Sequence, residues 1–252
     1  MANFCTELYR NQIIKTWLRD QHEGWELTSG EWSPFYFAFR DVPSYPDLFE
    51  ESIDHLLKTI ESNCPDFDRI VGIASTGIPL AAVVASRLRV PMGFSRKVAG
   101  LRTVEDLKSH TRAWGGHAIV EGVFHGGDRL LLIDDVITGG ASKDLAVALV
   151  NEEARQRDID IAVVGIVVVV DRGTPKTRDL AVPVWPAVSL VDELKGFTEG
   201  GATEREVDVM LQYINDPVHF QVPAVRDRLI AEAKAVWSVK DNVPPIRGHS
   251  TD

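Results

Sequence analysis

Apolar residues along this chain recur at two different spacings, and these spacings predict its secondary structure. Short apolar runs rich in β-branched residues are typical of buried strands, whereas apolar residues three and four positions apart are typical of amphipathic helices. The predicted strands are 69–74, 92–95, 129–133, 161–170 and 182–190, and the predicted helices are 6–19, 48–60, 79–88, 142–153, 204–214 and 224–236. Because strands and helices alternate through most of the chain, the pattern predicts an α/β fold with a central, mostly parallel sheet flanked by helices.

The same pattern divides one predicted domain into four regions. These are an aromatic, turn-rich N-terminal segment (1–46), the alternating core (47–197), two C-terminal helices (198–240) and a loose tail (241–252). Asp47 is predicted to cap the helix that follows it, since Glu50 lies at the spacing of a capping box. The polar stretch Gly100–Gly127 is predicted to be a long loop, which in a compact domain is usually functional or disordered.

Composition narrows the possible partners. The 252 residues carry a formal net charge of −10, and the isoelectric point is near 5.2. An acidic chain repels a phosphate backbone, so nucleic acid is not expected as a partner. Cys5 and Cys64 are too few and too far apart for a disulfide framework or a zinc site, which favours a reducing cytoplasm. The longest apolar run, Ile161–Val170, is too short to cross a bilayer, so no membrane is expected as a partner.

The candidate chemistry begins after the strand 129–133, where two carboxylates, Asp134 and Asp135, are adjacent. A loop of small and hydroxyl residues leads from them into a helix and consists of Thr138, Gly139, Gly140, Ala141 and Ser142. Glycines let backbone N–H groups approach a phosphate, hydroxyls donate hydrogen bonds, and a helix N-terminus favours negative charge. Paired carboxylates accept hydrogen bonds from sugar hydroxyls or lie near magnesium. The segment therefore indicates a site for a phosphorylated sugar.

Two further segments follow predicted strands and suit anions. Ser75, Thr76 and Gly77 connect a strand to a helix, either as an anion-binding loop or as an ordinary tight turn. Arg96 and Lys97 follow a short strand, either as a pair that grips pyrophosphate or as a solvated turn. Since ligands of open parallel sheets bind at the carboxyl ends of the strands, these segments are expected to converge on the sugar site.

Arg172 follows the most apolar predicted strand, directly after Asp171. Its guanidinium could pair with a carboxylate of the substrate. An ordinary Asp–Arg turn pair explains the two residues equally well, so the sequence leaves both readings open.

In this order, the segments resemble the motifs of the type I phosphoribosyltransferases, and of orotate phosphoribosyltransferase in particular. The matching segments are Leu27–Phe37 (the family's N-terminal hood), Gly72–Ala81, Arg96-Lys97, Lys108-Ser109-His110, Leu131–Ser142 and Asp171-Arg172. The resemblance runs from about Leu27 to Leu194. The chain departs from the family at Thr28, where the family has lysine, and over 98–107, where the family's loop is shorter.

The resemblance implies transfer of phosphoribose from phosphoribosyl pyrophosphate (PRPP) to orotate, in a homodimer. It implies that a mobile loop carrying Lys108 and His110 crosses into the partner's site. The catalytic residues would be Asp134, Asp135, Lys108 and His110, and the pyrophosphate and 5′-phosphate would be bound by the two loops with Arg96 and Lys97. Orotate would be bound by Phe35, Tyr36, Thr138 and Arg172. Magnesium would be held mainly by PRPP, near the two aspartates and without direct protein ligation.

Two other functions remain open at this point. One is a phosphoribosyltransferase for another base, which the predicted carboxylate partner Arg172 argues against. The other is a non-catalytic regulator that senses PRPP, which the absent hood lysine favours and the acidic net charge disfavours for any nucleic-acid role. The C-terminal helices lie beyond the family's usual catalytic domain, and the sequence assigns them no role.

Overall fold

The computed structural model describes residues 3–27, 29–98, 100–101, 103–110, 118–173 and 180–241, with the backbone alone for 108–110 and 239–241. The strands are β1 (Ile14–Thr16), β2 (Trp25–Glu26), β3 (Trp32–Ser33), β4 (Phe35–Phe37), β5 (Arg69–Gly72), β6 (Met92–Ser95), β7 (Val120–Glu121), β8 (Arg129–Ile137), β9 (Ala162–Asp171) and β10 (Val184–Ser189). The helices are α1 (Phe4–Arg10), α2 (Pro46–Asn63), α3 (Gly77–Leu88), α4 (Val104–His110), α5 (Ala141–Arg157), α6 (Leu190–Glu193), α7 (Glu204–Asn215) and α8 (Pro223–Asp241). Short 3-10 turns occupy Phe39–Ser44, Leu194–Gly196 and His219–Gln221.

Six strands form the central sheet in the order β10-β9-β8-β5-β6-β7. Neighbouring strands are parallel except β6 and β7. The predicted α/β fold with a mostly parallel sheet is therefore confirmed. β10 lies at an edge, as its prolines predict, with Pro186 opposite Val168. An edge position tolerates proline because the missing N–H faces away from the neighbouring strand.

The sheet separates two hydrophobic cores. Along β8, Leu131 and Ile133 point into one core, and Leu130 and Leu132 point into the other, as the alternation of a strand requires. The first core is shared with α2, α3, the N-terminal segment and the C-terminal helices. The second lies under α5 and includes Leu107 of α4. Both faces are therefore covered, which explains why the strand pattern is continuously apolar.

The N-terminal segment and the C-terminal helices pack against each other. The buried carboxylate of Glu206 on α7 accepts hydrogen bonds from the hydroxyls of Tyr9, at 3.1 Å, and Thr16. The indole of Trp17 donates to the backbone oxygen of Leu229 on α8 at 3.1 Å. The two ends of the described chain thus form one layer over the sheet, although they are distant in sequence.

Three predictions about local structure are wrong. The predicted helix 6–19 ends at Arg10, because Asn11 caps it and Gln12 adopts a φ of 58°, after which Ile14 pairs with Phe37 across β1 and β4. The apolar spacing of this stretch fits a helix, but the strand pairing buries the same side chains.

The capping box at Asp47 does not form. α2 begins two residues earlier than predicted, at Pro46, with Tyr45 in the N-cap position, and Glu50 pairs instead with Arg87 of α3. Proline is well suited to the first helical position because its missing N–H would have no partner there.

The stretch 100–127 is not wholly a loop. It contains α4 and β7, and Leu107 is buried in the second core. The loose tail predicted over 241–252 lies outside the described residues, apart from Asp241, which ends α8. In the described part of the chain, no helix is both long enough and apolar enough to span a bilayer.

Candidate active site

β8 runs through both aspartates to Ile137 instead of ending before them. Its pairing with β9 continues past Asp134, which lies opposite Val168, whereas its pairing with β5 stops where Ile133 meets Gly72. Beyond that point β8 no longer pairs with β5, and the loop that follows β5 passes close to the backbone of Ile133 and Asp134. The two carboxylates therefore lie beside a crevice at the carboxyl edge of the sheet, where parallel sheets bind ligands.

Asp134 is held by a lysine that follows the phosphate loop. The ammonium group of Lys143 donates to Asp134 Oδ2 at 2.8 Å and to the backbone oxygen of Val136 at 2.6 Å, and both charged side chains are buried. Burial raises the pKa of Asp134 to about 7, while Lys143 opposes this shift and the Asp135 carboxylate adds to it. The carboxylate of Asp134 is thus fixed in one position by the first turn of α5.

Asp135 is the more accessible of the two carboxylates. Its side chain is half-buried, and Oδ1 accepts a hydrogen bond from the backbone N–H of Val136 at 2.7 Å. This contact orients the carboxylate at the mouth of the crevice, where it can accept hydrogen bonds from a sugar.

The predicted phosphate loop connects β8 to α5 and consists of Thr138, Gly139, Gly140, Ala141 and Ser142. Gly140 is the N-cap of the 17-residue α5 and has a φ of +82°, a conformation that L side chains rarely adopt. Gly139, Ala141 and Ser142 are exposed. Exposed backbone at the start of a long helix is suited to an anion, because the first N–H groups of the helix have no partner within it.

The second predicted loop, with Ser75, Thr76 and Gly77, lies directly against β8. A Cβ atom added at Gly77 would be 2.3 Å from the backbone oxygen of Ile133, so only glycine allows this approach. Ser75 is exposed and Thr76 is half-buried at the start of α3. The two loops predicted to bind anions therefore follow neighbouring strands, β5 and β8.

The cationic pair follows β6, next to the same loop. Ser95 is buried, and its hydroxyl accepts a hydrogen bond from the backbone N–H of Ala74 at 2.9 Å. Arg96 and Lys97 follow it and are exposed, and the Arg96 guanidinium lies 3.5 Å from Glu121. Because β6, β5 and β8 are adjacent and parallel, the three segments follow the carboxyl ends of neighbouring strands.

Arg172 lies at the end of β9 and is buried beneath the N-terminal segment. Its Nη2 donates to Ser33 Oγ at 2.6 Å and to the backbone oxygen of Phe35 at 3.2 Å. Its Nε has no hydrogen-bond partner among the described residues. Burial lowers the pKa of Arg172 to about 10, against the opposing influence of Tyr213 and Glu31. The side chain is therefore a buried cation at neutral pH.

The two aromatic residues predicted to bound the base have different positions. Phe35 is fully buried, with its ring centroid 3.9 Å from the guanidinium carbon of Arg172. Tyr36 is half-buried, and its ring lies nearly parallel to that of Trp25, with 6.0 Å between centroids. Phe35 therefore supports the arginine, whereas Tyr36 belongs to a more accessible aromatic surface.

The predicted loop residues Lys108 and His110 lie on α4. Their backbone is helical, and their side chains lie outside the described residues. Thr28, at the position of the family's hood lysine, is also outside them. The structure therefore leaves the assignments of Lys108 and His110 as predictions.

Comparison with known proteins identifies the family. The model of the phosphoribosyl transferase domain matches residues 45–185, more than half of the chain. The chain belongs to the phosphoribosyltransferase family. Within this family it resembles orotate phosphoribosyltransferases: that of Sulfurisphaera tokodaii is 32% identical over 146 residues, 58% of this chain and 64% of that protein. That of Caenorhabditis elegans is 31% identical over 181 residues, 71% of this chain and 69% of that protein.

The solved structures show the same fold. The orotate phosphoribosyltransferase of Aeropyrum pernix superposes with a TM-score of 0.60 and 23% identity, covering 80% of this chain and 100% of that one. The resemblance to the type I phosphoribosyltransferases and their fold is thereby confirmed. This phosphoribosyltransferase spans 64% of the length of the S. tokodaii relative.

Sequence reasoning about this phosphoribosyltransferase missed two contacts at the site. Lys143 was placed only in the predicted helix 142–153 and Tyr213 only in the predicted helix 204–214, and neither was given a role. A signal for Lys143 exists in the sequence, since a lysine one turn into an otherwise buried helix face needs an anionic partner. No such signal exists for Tyr213, because its contact with Arg172 depends on how α7 packs.

Proposed function

We propose that this phosphoribosyltransferase transfers phosphoribose from PRPP to orotate, giving orotidine 5′-monophosphate and pyrophosphate. The observation that carries the choice of orotate is the buried cation Arg172. Among the described residues no carboxylate lies within ion-pair distance of it, and its Nε is unpartnered. A buried cation is costly unless it is paired, and a carboxylate on the substrate would pair with it. Orotate has such a carboxylate, whereas adenine and uracil do not.

The two loops divide the phosphates of PRPP between them. The loop Thr138–Ser142 binds the 5′-phosphate through backbone N–H groups and hydroxyls, and Ser75–Gly77 binds the pyrophosphate with Arg96 and Lys97. The contact of Gly77 with β8 supports this division, because it brings both loops to one crevice.

The carboxylates act on the ribose. Asp135 accepts hydrogen bonds from the ribose hydroxyls, beside the buried and lysine-bound Asp134. As the bond at the anomeric carbon breaks, the sugar becomes cationic, and nearby negative charge stabilises it. The half-exposed carboxylate of Asp135, oriented by the Val136 N–H, is suited to this role.

The site also suits magnesium. Magnesium would be held mainly by the oxygens of PRPP, near Asp134 and Asp135, where negative charge favours a cation. When bound, magnesium would neutralise charge on the departing pyrophosphate. Lys108 and His110 would act on the same leaving group, Lys108 as a cation and His110 as a donor to the departing oxygen.

We further infer a homodimer in which the segment with Lys108 reaches the partner's site. We also infer a cytoplasmic location, which the two free thiols Cys5 and Cys64 support because disulfides are rare in reducing compartments.

A product assay with PRPP, magnesium and orotate tests the activity. We expect orotidine 5′-monophosphate to form, and Asp135→Asn to reduce turnover by about 10²-fold or more while the protein stays folded. Absence of the product at high enzyme concentration would refute the orotate assignment.

Competition distinguishes the two other functions. Orotate should bind at the base site, and an excess of adenine or uracil should not displace it. A transferase for another base would form a nucleotide from one of these instead, and a PRPP-sensing regulator would bind PRPP without forming any product.

A further inference from the structure

The C-terminal helices lie outside the matched phosphoribosyltransferase domain, yet they contact the candidate base-binding arginine. The matched domain ends at residue 185, whereas α7 begins at Glu204. Gly173, next to Arg172, is packed so closely that an added Cβ would be 3.2 Å from Ile214 of α7. The end of β9 and the end of α7 are therefore in direct contact.

Tyr213 on α7 lies beside the guanidinium group itself. Its ring centroid is 5.3 Å from the guanidinium carbon of Arg172, and the ring is buried. The same ring meets Phe35 edge-on, with 5.5 Å between centroids and an interplanar angle of 83°. Arg172 thus contacts two aromatic rings, one from the N-terminal segment and one from α7. A cation is attracted to the face of an aromatic ring, and the edge of one ring is attracted to the face of another. The arrangement therefore restricts where the guanidinium can lie.

Gln221 holds the backbone next to Ser33, whose hydroxyl is a hydrogen-bond partner of Arg172. Its side-chain Oε1 accepts from the backbone N–H of Trp32 at 2.8 Å, and its Nε2 donates to the backbone oxygen of Trp32 at 3.1 Å. Trp32 precedes Ser33, whose hydroxyl accepts from Arg172 at 2.6 Å. A side-chain amide that occupies both hydrogen-bonding groups of one backbone residue holds β3 in register, and with it the Ser33 hydroxyl.

We propose that the C-terminal segment from α7 to Gln221 forms the supporting wall of the base site, in which Tyr213 and Gln221 are positioning residues for Arg172. Tyr213 restricts the position of the guanidinium through its ring, and Gln221 restricts that position through β3 and the Ser33 hydroxyl. This proposal rests on the proposed function, because it takes Arg172 as the group that binds the carboxylate of the base. It assigns to the C-terminal helices a role in specificity for the base and none in binding PRPP.

Steady-state kinetics of Tyr213→Leu and Gln221→Ala test the proposal. We expect each variant to raise the KM for orotate about 10-fold and to leave the KM for PRPP within about 2-fold of wild type, since only the base site loses its support. Tyr213→Phe keeps the ring but removes the hydroxyl that interacts with Ser33, so it should raise the KM for orotate less than Tyr213→Leu does.

Two matched controls separate positioning from general packing. Phe197→Leu removes a fully buried ring outside this wall, whose centroid lies 5.3 Å from that of Tyr9. Gln212→Ala removes an amide that bonds Asp208 on its own helix. Neither should change the ratio of the two KM values.

The outcomes are distinguishable from a failure of the proposed function. If wild type forms no product from orotate, the proposed function fails. If wild type is active but Tyr213→Leu raises both KM values equally, or matches Phe197→Leu, then α7 supports the fold only and this inference is wrong. Should Tyr213→Leu not fold, Gln221→Ala carries the same test, because it removes little core volume.

Discussion

At the scale of single residues, the pair of Asp134 and Lys143 explains how a buried carboxylate persists at the crevice. The ion pair measures 2.8 Å, and both side chains are almost completely buried. A buried ion pair adds little net stability, but removing one partner leaves a charge without compensation. The pair therefore fixes the position of Asp134 and also couples the stability of the fold to the phosphate loop.

Lys143→Met should destabilise the protein by about 3–5 kcal/mol at pH values above neutrality, because Asp134 then lacks its partner. The folded-state pKa of Asp134 is raised above that of the unfolded chain, so this group stabilises the fold most at low pH and less as the pH rises through about 7. Without Lys143 that pKa rises further, and the loss relative to wild type should grow with pH. Urea unfolding at about pH 6 and about pH 8.5 measures this.

The double variant Asp134→Asn/Lys143→Met provides the control. It buries no unpaired charge, so at the higher pH it should be more stable than Lys143→Met alone. Lys58→Met removes an exposed lysine and should have little effect. A pH-independent loss in Lys143→Met would contradict the ion-pair account.

At the scale of elements, the site depends on the close approach of one loop to one strand. α3 begins at Gly77, and this glycine touches the backbone of β8 where its pairing with β5 ends. The position of the pyrophosphate loop relative to the two carboxylates is thus set by a backbone contact, not by a side chain.

Gly77→Ala should weaken PRPP binding and destabilise the fold by about 1–3 kcal/mol, since the added methyl group overlaps the Ile133 carbonyl oxygen. Gly126→Ala is the matched control, because its Cβ would have no neighbour within 4 Å. Calorimetric titration with PRPP and urea unfolding measure the two effects. Equal PRPP affinities in both variants would show that the contact does not position the loop.

At the scale of the whole molecule, the two ends of the described chain meet over the sheet. Glu206 joins α7 to Tyr9 and Thr16, and Trp17 joins the N-terminal segment to α8. This layer covers Arg172, so the surroundings of this arginine come from the centre of the described chain and from both of its ends. The proposed homodimer would add a contribution from a second subunit.

Mixing two inactive variants tests the shared site. If the segment with Lys108 crosses to the partner, Lys108→Ala and Asp135→Asn subunits should complement each other when they are mixed and allowed to exchange. Random exchange gives hybrids in half of the dimers, each with one intact site, so about a quarter of wild-type activity should return. Differently tagged subunits verify the exchange. If hybrids form and remain inactive, each site uses its own Lys108.

The elements of the core could be predicted because they depend on local pattern. β8, β9 and α5 were found from apolar runs and from small residues, and their bounds differ from the predictions by a few residues. The N-terminal segment could not be predicted in the same way, since the apolar residues of 6–19 have helical spacing throughout, yet the helix ends at Arg10. Only the pairing of β1 with β4 selects the strand, and that pairing involves residues about 20 positions away in sequence.

The sequence by itself determined the family, the fold class and the order of the anion-binding segments, because each of these depends on residues that are close together in the chain. The tertiary structure decided which partner each charged group has. Asp134 pairs with Lys143 across the loop that joins β8 to α5. Arg172 contacts Ser33 and Phe35 of the N-terminal segment and Tyr213 of α7. Burial and pairing are properties of the packed molecule, since they depend on which distant side chains exclude water from a charge. Local sequence signals that Lys143 needs an anionic partner, but the partners of Arg172 leave no such signal.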